Sequence, residues 1–224
     1  MMPPRRRDPP AFWAEKEQRW LRDLAAGDPL GWEHNGRSLR DWFHATVREV
    51  DAPSLCAYCD GSLGAQSRPT IDHFLPRKQF PALALSFANL YPACDNCNSG
   101  HKRGKWSCLL LRPDVDLASP AEGLDWATFS RYFQYDPVSG RLASAPGADR
   151  RDRRRVLVTI AVLGLNVAQR CRERRLVWKQ IAHATRLRDD SSSTDLAQFG
   201  PYRFVTLQYI LSEGASSHPG EGLK

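Results

Sequence analysis

Cys56-Ala57-Tyr58-Cys59, Ile71-Asp72-His73-Phe74-Leu75-Pro76, Asn89-Leu90, Cys94-Asp95-Asn96-Cys97-Asn98 and His101-Lys102 follow one another in a single short segment. Each Cys-x-x-Cys pair presents two thiolates from one tight turn. Two such pairs supply the four soft sulfurs of a tetrahedral zinc shell, so Cys56, Cys59, Cys94 and Cys97 are the expected ligands of a structural Zn²⁺. Between and after these knuckles lie an Asp-His step, an Asn, and an Asn directly after the last cysteine. A carboxylate and an amide oxygen suit a hard divalent cation, and a neutral His beside them suits the activation of water. Together they are the parts of a metal-assisted hydrolase.

These residues resemble the HNH endonucleases with a ββα-metal fold, in their zinc-stapled form, and among them the HNH proteins of Septu-type anti-phage systems and their retron-associated relatives. The resemblance implies roles. His73 is the general base, Asn89 braces its loop, Asp72 and Asn98 hold Mg²⁺ or Mn²⁺, and Lys102 steadies the cleaved phosphate. It also implies an ATPase partner subunit and, through the retron relatives, a reverse transcriptase with its RNA/DNA. Phe133-Gln134-Tyr135-Asp136 and Leu163-Gly164-Leu165-Asn166 extend the likeness to roughly residues 10–180, with only the central motif specific. Many relatives carry His where Asn98 stands, and the remaining oxygen ligands favour a hard ion over a softer one.

Outside the motif, composition sets limits. The 224 residues suffice for one large domain or two small ones with a buried core. With four cysteines ionised on one Zn²⁺, the formal charge of +7 falls by two to +5, still basic enough to favour DNA or RNA without choosing between them. No apolar run is long enough for a bilayer, and Met1 to Pro10 has no secretory apolar core, which predicts a soluble cytoplasmic protein. Cys108 and Cys171 read as buried small hydrophobes rather than half of a disulfide framework.

Working outward, Phe12, Trp13, Trp20, Leu21 and Leu24 recur at helical intervals from Ala11. Leu39, Trp42, Phe43 and Val47 do so from Ser38 to Val50. The tryptophans there are expected to pack this pair onto the zinc module, and His34 and His44 to be structural or solvated. Arg5, Arg6 and Arg7 precede them in an unfolded lead-in that also suits a phosphate-gripping arm. Ser67 to Ile71 predicts a short strand, and because neighbouring strand residues face opposite ways, Asp72 and His73 can share a site only where the strand ends. Arg77, Lys78, His101 and Arg103 are the candidate nucleic-acid contacts. His101, one helical turn past Asn98, is open to either metal or phosphate. A helix is expected after Cys97, helped by packing of Trp106 and Leu109-Leu110-Leu111 because Gly100 and Gly104 disfavour it.

Beyond Pro113, Asp136-Pro137 and Gly140 predict a hairpin turn. Arg150 to Ala184 reads as a long helix broken near Gly164. Its arginine clusters, Arg150 to Arg155 and Arg170 to Arg175, suit a polyanion or an acidic partner as well as a solvated face. Tyr202 to Leu211 fits helix or strand, Asp189 to Thr194 a linker, and Ser212 to Lys224 a disordered tail.

The expected fold is α+β, a mainly helical chain around a small ββα-metal HNH core stapled by a four-cysteine zinc site. Its parts are an N-terminal helical region 1–50, the core 51–112, a helical region 113–188 and a terminal stretch 189–224. The expected activity is metal-dependent phosphodiester hydrolysis. The competing reading is a non-catalytic zinc module that binds nucleic acid or a protein partner.

Overall fold

The computed structural model of the protein describes residues 10–24, 27–50, 55–63, 69–113, 115–116 and 126–187, with 202, 204–206, 208, 209 and 212. The arginines at 5–7, the linker at 189–194 and all of the tail except Ser212 lie outside them. The N-terminal region holds α1 (Ala11–Arg22) and α2 (Leu39–Val50). A small hairpin, β1 (Glu33–His34) and β2 (Arg37–Ser38), connects them. Asn35 and Gly36 both take positive φ, 51° and 70°, the tight turn for which Asn-Gly is the strongest local signal. Ser38 starts α2: its hydroxyl accepts from the Asp41 amide and donates to the Asp41 carboxylate. Trp13, Trp20, Leu30, Leu39 and Phe43 form an apolar cluster with Ala84, Leu85 and Leu90 of the next region, whereas Leu21 and Leu24 stay exposed.

The central region is a ββ ribbon followed by a short helix. β3 (Pro69–His73) pairs antiparallel with β4 (Leu90–Cys94), with Asp72 opposite Tyr91 and His73 opposite Leu90. The helix expected after Cys97 is a seven-residue π-helix, Asn96–Lys102. It closes through the Arg103 amide donating to the Asn98 carbonyl and stops at Arg103 and Gly104, both at positive φ. Trp106 is 37% exposed and lies edge-on to Phe80 at 5.3 Å. Leu110 and Leu111 are buried as expected, but Cys108 is exposed.

The remaining described chain closes over the knuckles. α3 (Trp126–Tyr132) leads into a second hairpin, β5 (Phe133–Tyr135) and β6 (Leu142–Ser144). α4 (Arg150–Leu163) and α5 (Ala168–Leu187) are separated at Gly164, which adopts φ 57° as the C-cap of α4. The described residues between 204 and 212 are helical. Tyr202 ties them to the first knuckle, its amide donating to the Asp60 carbonyl. One apolar cluster runs from Cys56, Cys59, Cys94 and Cys97 through Tyr91 and Leu111 to Tyr135, Val156, Leu163 and Val205. Arg170 and Arg174 are buried in this packing, 3% and 1% exposed, so only Arg172 and Arg175 of that cluster face solvent. Among the described residues no helix is long and apolar enough to cross a membrane.

Candidate nuclease centre

The four knuckle sulfurs lie within 4.8 Å of one another, and all four residues are buried. The first knuckle hangs on β4 through the Ala57 amide and the Pro92 carbonyl; the second begins at the end of β4 itself. Hydrogen bonds from Cys56, Cys59 and Cys97 hold the Cys94 thiol far below its usual range. The bond with Cys56 pushes Cys59 up, and burial pushes Cys97 up. Sulfurs so placed cannot all ionise unless a cation joins them, and the cluster fits a metal ion such as zinc.

Arg170 reaches this cluster from α5. Its Nη1 donates to the Leu163 and Gly164 carbonyls at 2.6 and 3.0 Å, and its Nη2 lies 3.8 Å from Cys94 Sγ. Burial opposes the charged guanidinium, yet the surrounding sulfurs, Cys97 foremost, hold its pKa above the ordinary arginine value. A guanidinium here offsets the excess negative charge of four thiolates around one divalent ion.

On β3, Asp72 and His73 face opposite ways, as strand geometry requires. Asp72 is 3% exposed. One of its oxygens accepts from Lys102 Nζ at 3.0 Å; the other lies 2.9 Å from the same ammonium and accepts from the Tyr58 hydroxyl. Lys102 is wholly buried, and it also donates to the His73 carbonyl at 2.7 Å. Burial, then the Asp72 charge, pushes the Tyr58 hydroxyl pKa well up, which keeps it a donor. Asn98 lies on the same side of the ribbon, its amide group donating to Thr70 Oγ1 at 3.0 Å and to the Ile71 carbonyl at 3.2 Å.

The π winding sets which helix residues meet β3. Asn98 and Lys102 both reach it. His101 turns away and lays its ring against Gly164, so close that a Cβ there would come within 2.5 Å of the ring. Burial and the charges of Arg170, Arg103 and Lys105 lower the His101 pKa, so at neutral pH it adds no positive charge.

His73 Nε2 lies 2.9 Å from the Ala84 carbonyl. A carbonyl only accepts, so Nε2 carries the proton and Nδ1 keeps its lone pair. Burial lowers the His73 pKa, against smaller raising effects from Ala84 and Asp72, and the ring is neutral at pH 7. The N-terminal helix secures this arrangement: Trp13 Nε1 donates to the Leu85 carbonyl at 2.8 Å and Trp20 Nε1 to the Pro81 carbonyl at 2.6 Å. Asn89 closes the same loop from the other end. Its Oδ1 accepts from the Leu75 amide, and its Nδ2 donates to the Leu75 and Leu83 carbonyls.

Of the four basic candidates, Arg77 donates to Asp28 Oδ1 at 3.0 Å and to the Gly27 carbonyl, and Lys78 is exposed. Arg103 is exposed too, its Nε donating to the Ser99 carbonyl, while His101 rests on Gly164. Tyr58, Arg170 and the Ala84 carbonyl have no counterpart in the sequence reading. Tyr58 sits inside the first knuckle, and nothing in its spacing announces a carboxylate partner at position 72.

Residues 56–104 match the family model described as HNH endonuclease, which assigns that segment of the chain to the family. Over 68 residues the chain is 34% identical to the Septu protein PtuB of Bacillus thuringiensis, a match covering 29% of this chain and 26% of that protein. The match therefore spans about a quarter of the length of the curated relative.

Proposed function

We propose, from an HNH endonuclease segment whose histidine is held as a neutral base, that this protein hydrolyses phosphodiester bonds of DNA or RNA. The observation that carries the reading is the His73 ring, its Nε2 proton committed to Ala84 and its Nδ1 left to take a proton from water. Asn89 holds the loop that sets this geometry, and Lys78, Arg103 and Arg77 offer positive charge to the phosphate backbone.

Cys56, Cys59, Cys94 and Cys97 would hold a structural Zn²⁺ that fixes the two loops. A second ion, Mg²⁺ or Mn²⁺, belongs to the proposal through the Asp72 carboxylate and the Asn98 side-chain oxygen, and such an ion would supply charge to the phosphate. As these side chains stand, the donor set is filled by the Lys102 ammonium and does not fit a second cation. The two cations compete for one carboxylate, and Lys102 likewise reaches a phosphate only by leaving Asp72.

We place the protein in the cytoplasm as the nuclease subunit of an anti-phage defence complex. Its partners there are an ATPase subunit and, by the retron-associated likeness, a reverse transcriptase with its RNA/DNA. The resemblance to a Septu protein supports this assignment. The buried Lys102–Asp72 pair favours one second reading, a non-catalytic zinc module that binds nucleic acid or a protein partner.

The test is cleavage of plasmid DNA, single-stranded DNA and structured RNA with Mg²⁺, with Mn²⁺ and with EDTA, with and without the ATPase partner, comparing wild type and His73→Ala at equal zinc content. Cleavage by the wild type alone is expected. Equal cleavage by the two proteins would remove His73 from the mechanism, and binding without cleavage in every arm would leave the zinc module.

A further inference from the structure

Behind the loop that follows His73 lies a cavity of about 600 Å³, within the size range of pockets that take small organic ligands. Its walls come from three places. Phe74, Leu75 and Leu83 belong to the loop that Asn89 closes, and Trp106 with Arg112 belongs to the segment after the π-helix. The first turns of α4 add Arg151 and Arg155.

Three guanidinium groups and a single carboxylate, Asp116, line this space. That carboxylate is already occupied: it accepts from Arg155 Nη2 at 2.5 Å, from the Arg112 amide at 2.8 Å and from the Tyr132 hydroxyl at 3.3 Å. Arg155 is committed to it, and Arg112 is anchored on the Tyr91 hydroxyl and the Ala88 carbonyl. Arg151 differs from both. Its side chain is exposed and makes no side-chain hydrogen bond among the described residues; the Asp149 carboxylate, held low chiefly by the Asp152 amide, also feels its charge. Trp106, 37% exposed and supported edge-on by Phe80, is the large exposed aromatic surface in the lining. An apolar lining, a partly exposed indole and an exposed guanidinium match the three parts of a nucleotide, in a pocket whose lining carries net positive charge.

We propose that this cavity binds one unstacked nucleotide of a single strand, with its base against Trp106 and its phosphate on Arg151. The proposal rests on the nucleic-acid reading above and narrows it, because a base inside a duplex is stacked and paired and cannot enter a pocket of this kind. The strand recognised is therefore single-stranded, or a frayed end or loop.

The experiment is fluorescence anisotropy of a labelled single-stranded oligonucleotide and of its duplex with the zinc-loaded full-length chain. It is run in the His73→Ala background so that cleavage does not interfere. The single strand is expected to bind more tightly than the duplex. Trp106→Ala is expected to weaken single-strand binding on the order of tenfold, with Trp106→Phe keeping most of the affinity. Arg151→Gln is expected to reduce the slope of log K against log salt by about 0.7, the value for one phosphate contact on a single strand.

Duplex bound as tightly as single strand, or unchanged affinity in both Trp106→Ala and Arg151→Gln, overturns the proposal. A pocket built for a side chain of a protein partner would give that second result. Failure here leaves His73-dependent cleavage untouched. Conversely, single-strand preference that depends on Trp106 stands even if no cleavage is found.

Discussion

Replacing Lys102 by Met tests the centre of this site most directly. Methionine keeps most of the stem volume and deletes an ammonium that is wholly buried, is ion-paired with both Asp72 oxygens, and donates hydrogen bonds to one of them and to the His73 carbonyl. Asp72, 3% exposed, is then left with Tyr58 alone. Breaking a buried ion pair by removing one partner costs about 3–5 kcal/mol, mostly the penalty of the uncompensated charge. Because Tyr58 still donates, the lower half of that range is expected. Neutralising the survivor should recover much of the loss, so Lys102→Met with Asp72→Asn is expected to sit only ~1–2 kcal/mol below wild type. Urea denaturation at saturating zinc, with the m-value unchanged, measures both. A single-mutant loss under about 1 kcal/mol, or strictly additive losses in the cycle, would refute the buried-pair argument. The same protein tests the competition between cations. If Asp72 also belongs to a divalent-ion site, Mn²⁺ at a hundred times its Kd should stabilise Lys102→Met by about 2.7 kcal/mol and wild type by much less. Equal stabilisation of the two would separate the ion from this carboxylate.

Three further outcomes follow from contacts in the structure. Arg170→Met, which removes the guanidinium beside Cys94, should weaken metal retention about 10–100-fold in competition with a chromophoric chelator, and unchanged retention would refute a role for that charge. Gly164→Ala places a Cβ 2.5 Å from the His101 ring at φ 57°, and should cost ~1–3 kcal/mol in urea denaturation. The added change His101→Ala should return part of that loss, and no return would mean the ring is not the obstacle. Asn89→Ala deletes three hydrogen bonds that close the loop after His73. It should lower stability by about 1–3 kcal/mol and reduce kcat more than it changes substrate binding, both measured on protein of equal zinc content.

The parts of this molecule that could be read in the sequence are those whose geometry is local. Two cysteines two residues apart must share a turn, so the four-sulfur cluster followed from spacing alone. The opposed directions of Asp72 and His73 follow from the period of a strand, but a strand over Ser67 to Ile71 would end before them, whereas β3 runs on through both residues. Gly140 and Gly164 announced a turn and a helix end because few other residues accept their backbone angles. The parts that escaped depend on winding and on distance along the chain. An ordinary α-helix after Cys97 would leave His101 and Lys102 both available to the site; the wider π turn directs Lys102 onto Asp72 and His101 onto Gly164. Arg170 and Arg174 read in the sequence as contacts for a polyanion or an acidic partner as well as solvated charges, since only tertiary packing shows that Cys94 and the carbonyls of Gly140 and Leu165 await them. Asn35-Gly36 is a turn signal of the same local kind, between two helical patterns. Hydropathy does not distinguish a buried indole from one that, like Trp106, lines an open cavity.

These long-range contacts also explain why the motif is surrounded by so much helix. The ribbon of β3 and β4 is two strands wide, too small to fix the His73 ring by itself. The tautomer of His73 depends on the Ala84 carbonyl, and the residues on either side of the Ala84 loop are held by indoles from α1 at Leu85 and Pro81. The cysteine cluster at the other end of the ribbon depends on a guanidinium from α5, and the π-helix between them leans on the cap of α4. The matched segment therefore carries the proposed site residues, while their positions are set by residues on both sides of it in the chain. A weaker hold by either flank acts on a different part of the site: on the proton of His73 from the N-terminal side, and on the charge around Cys94 from the C-terminal side.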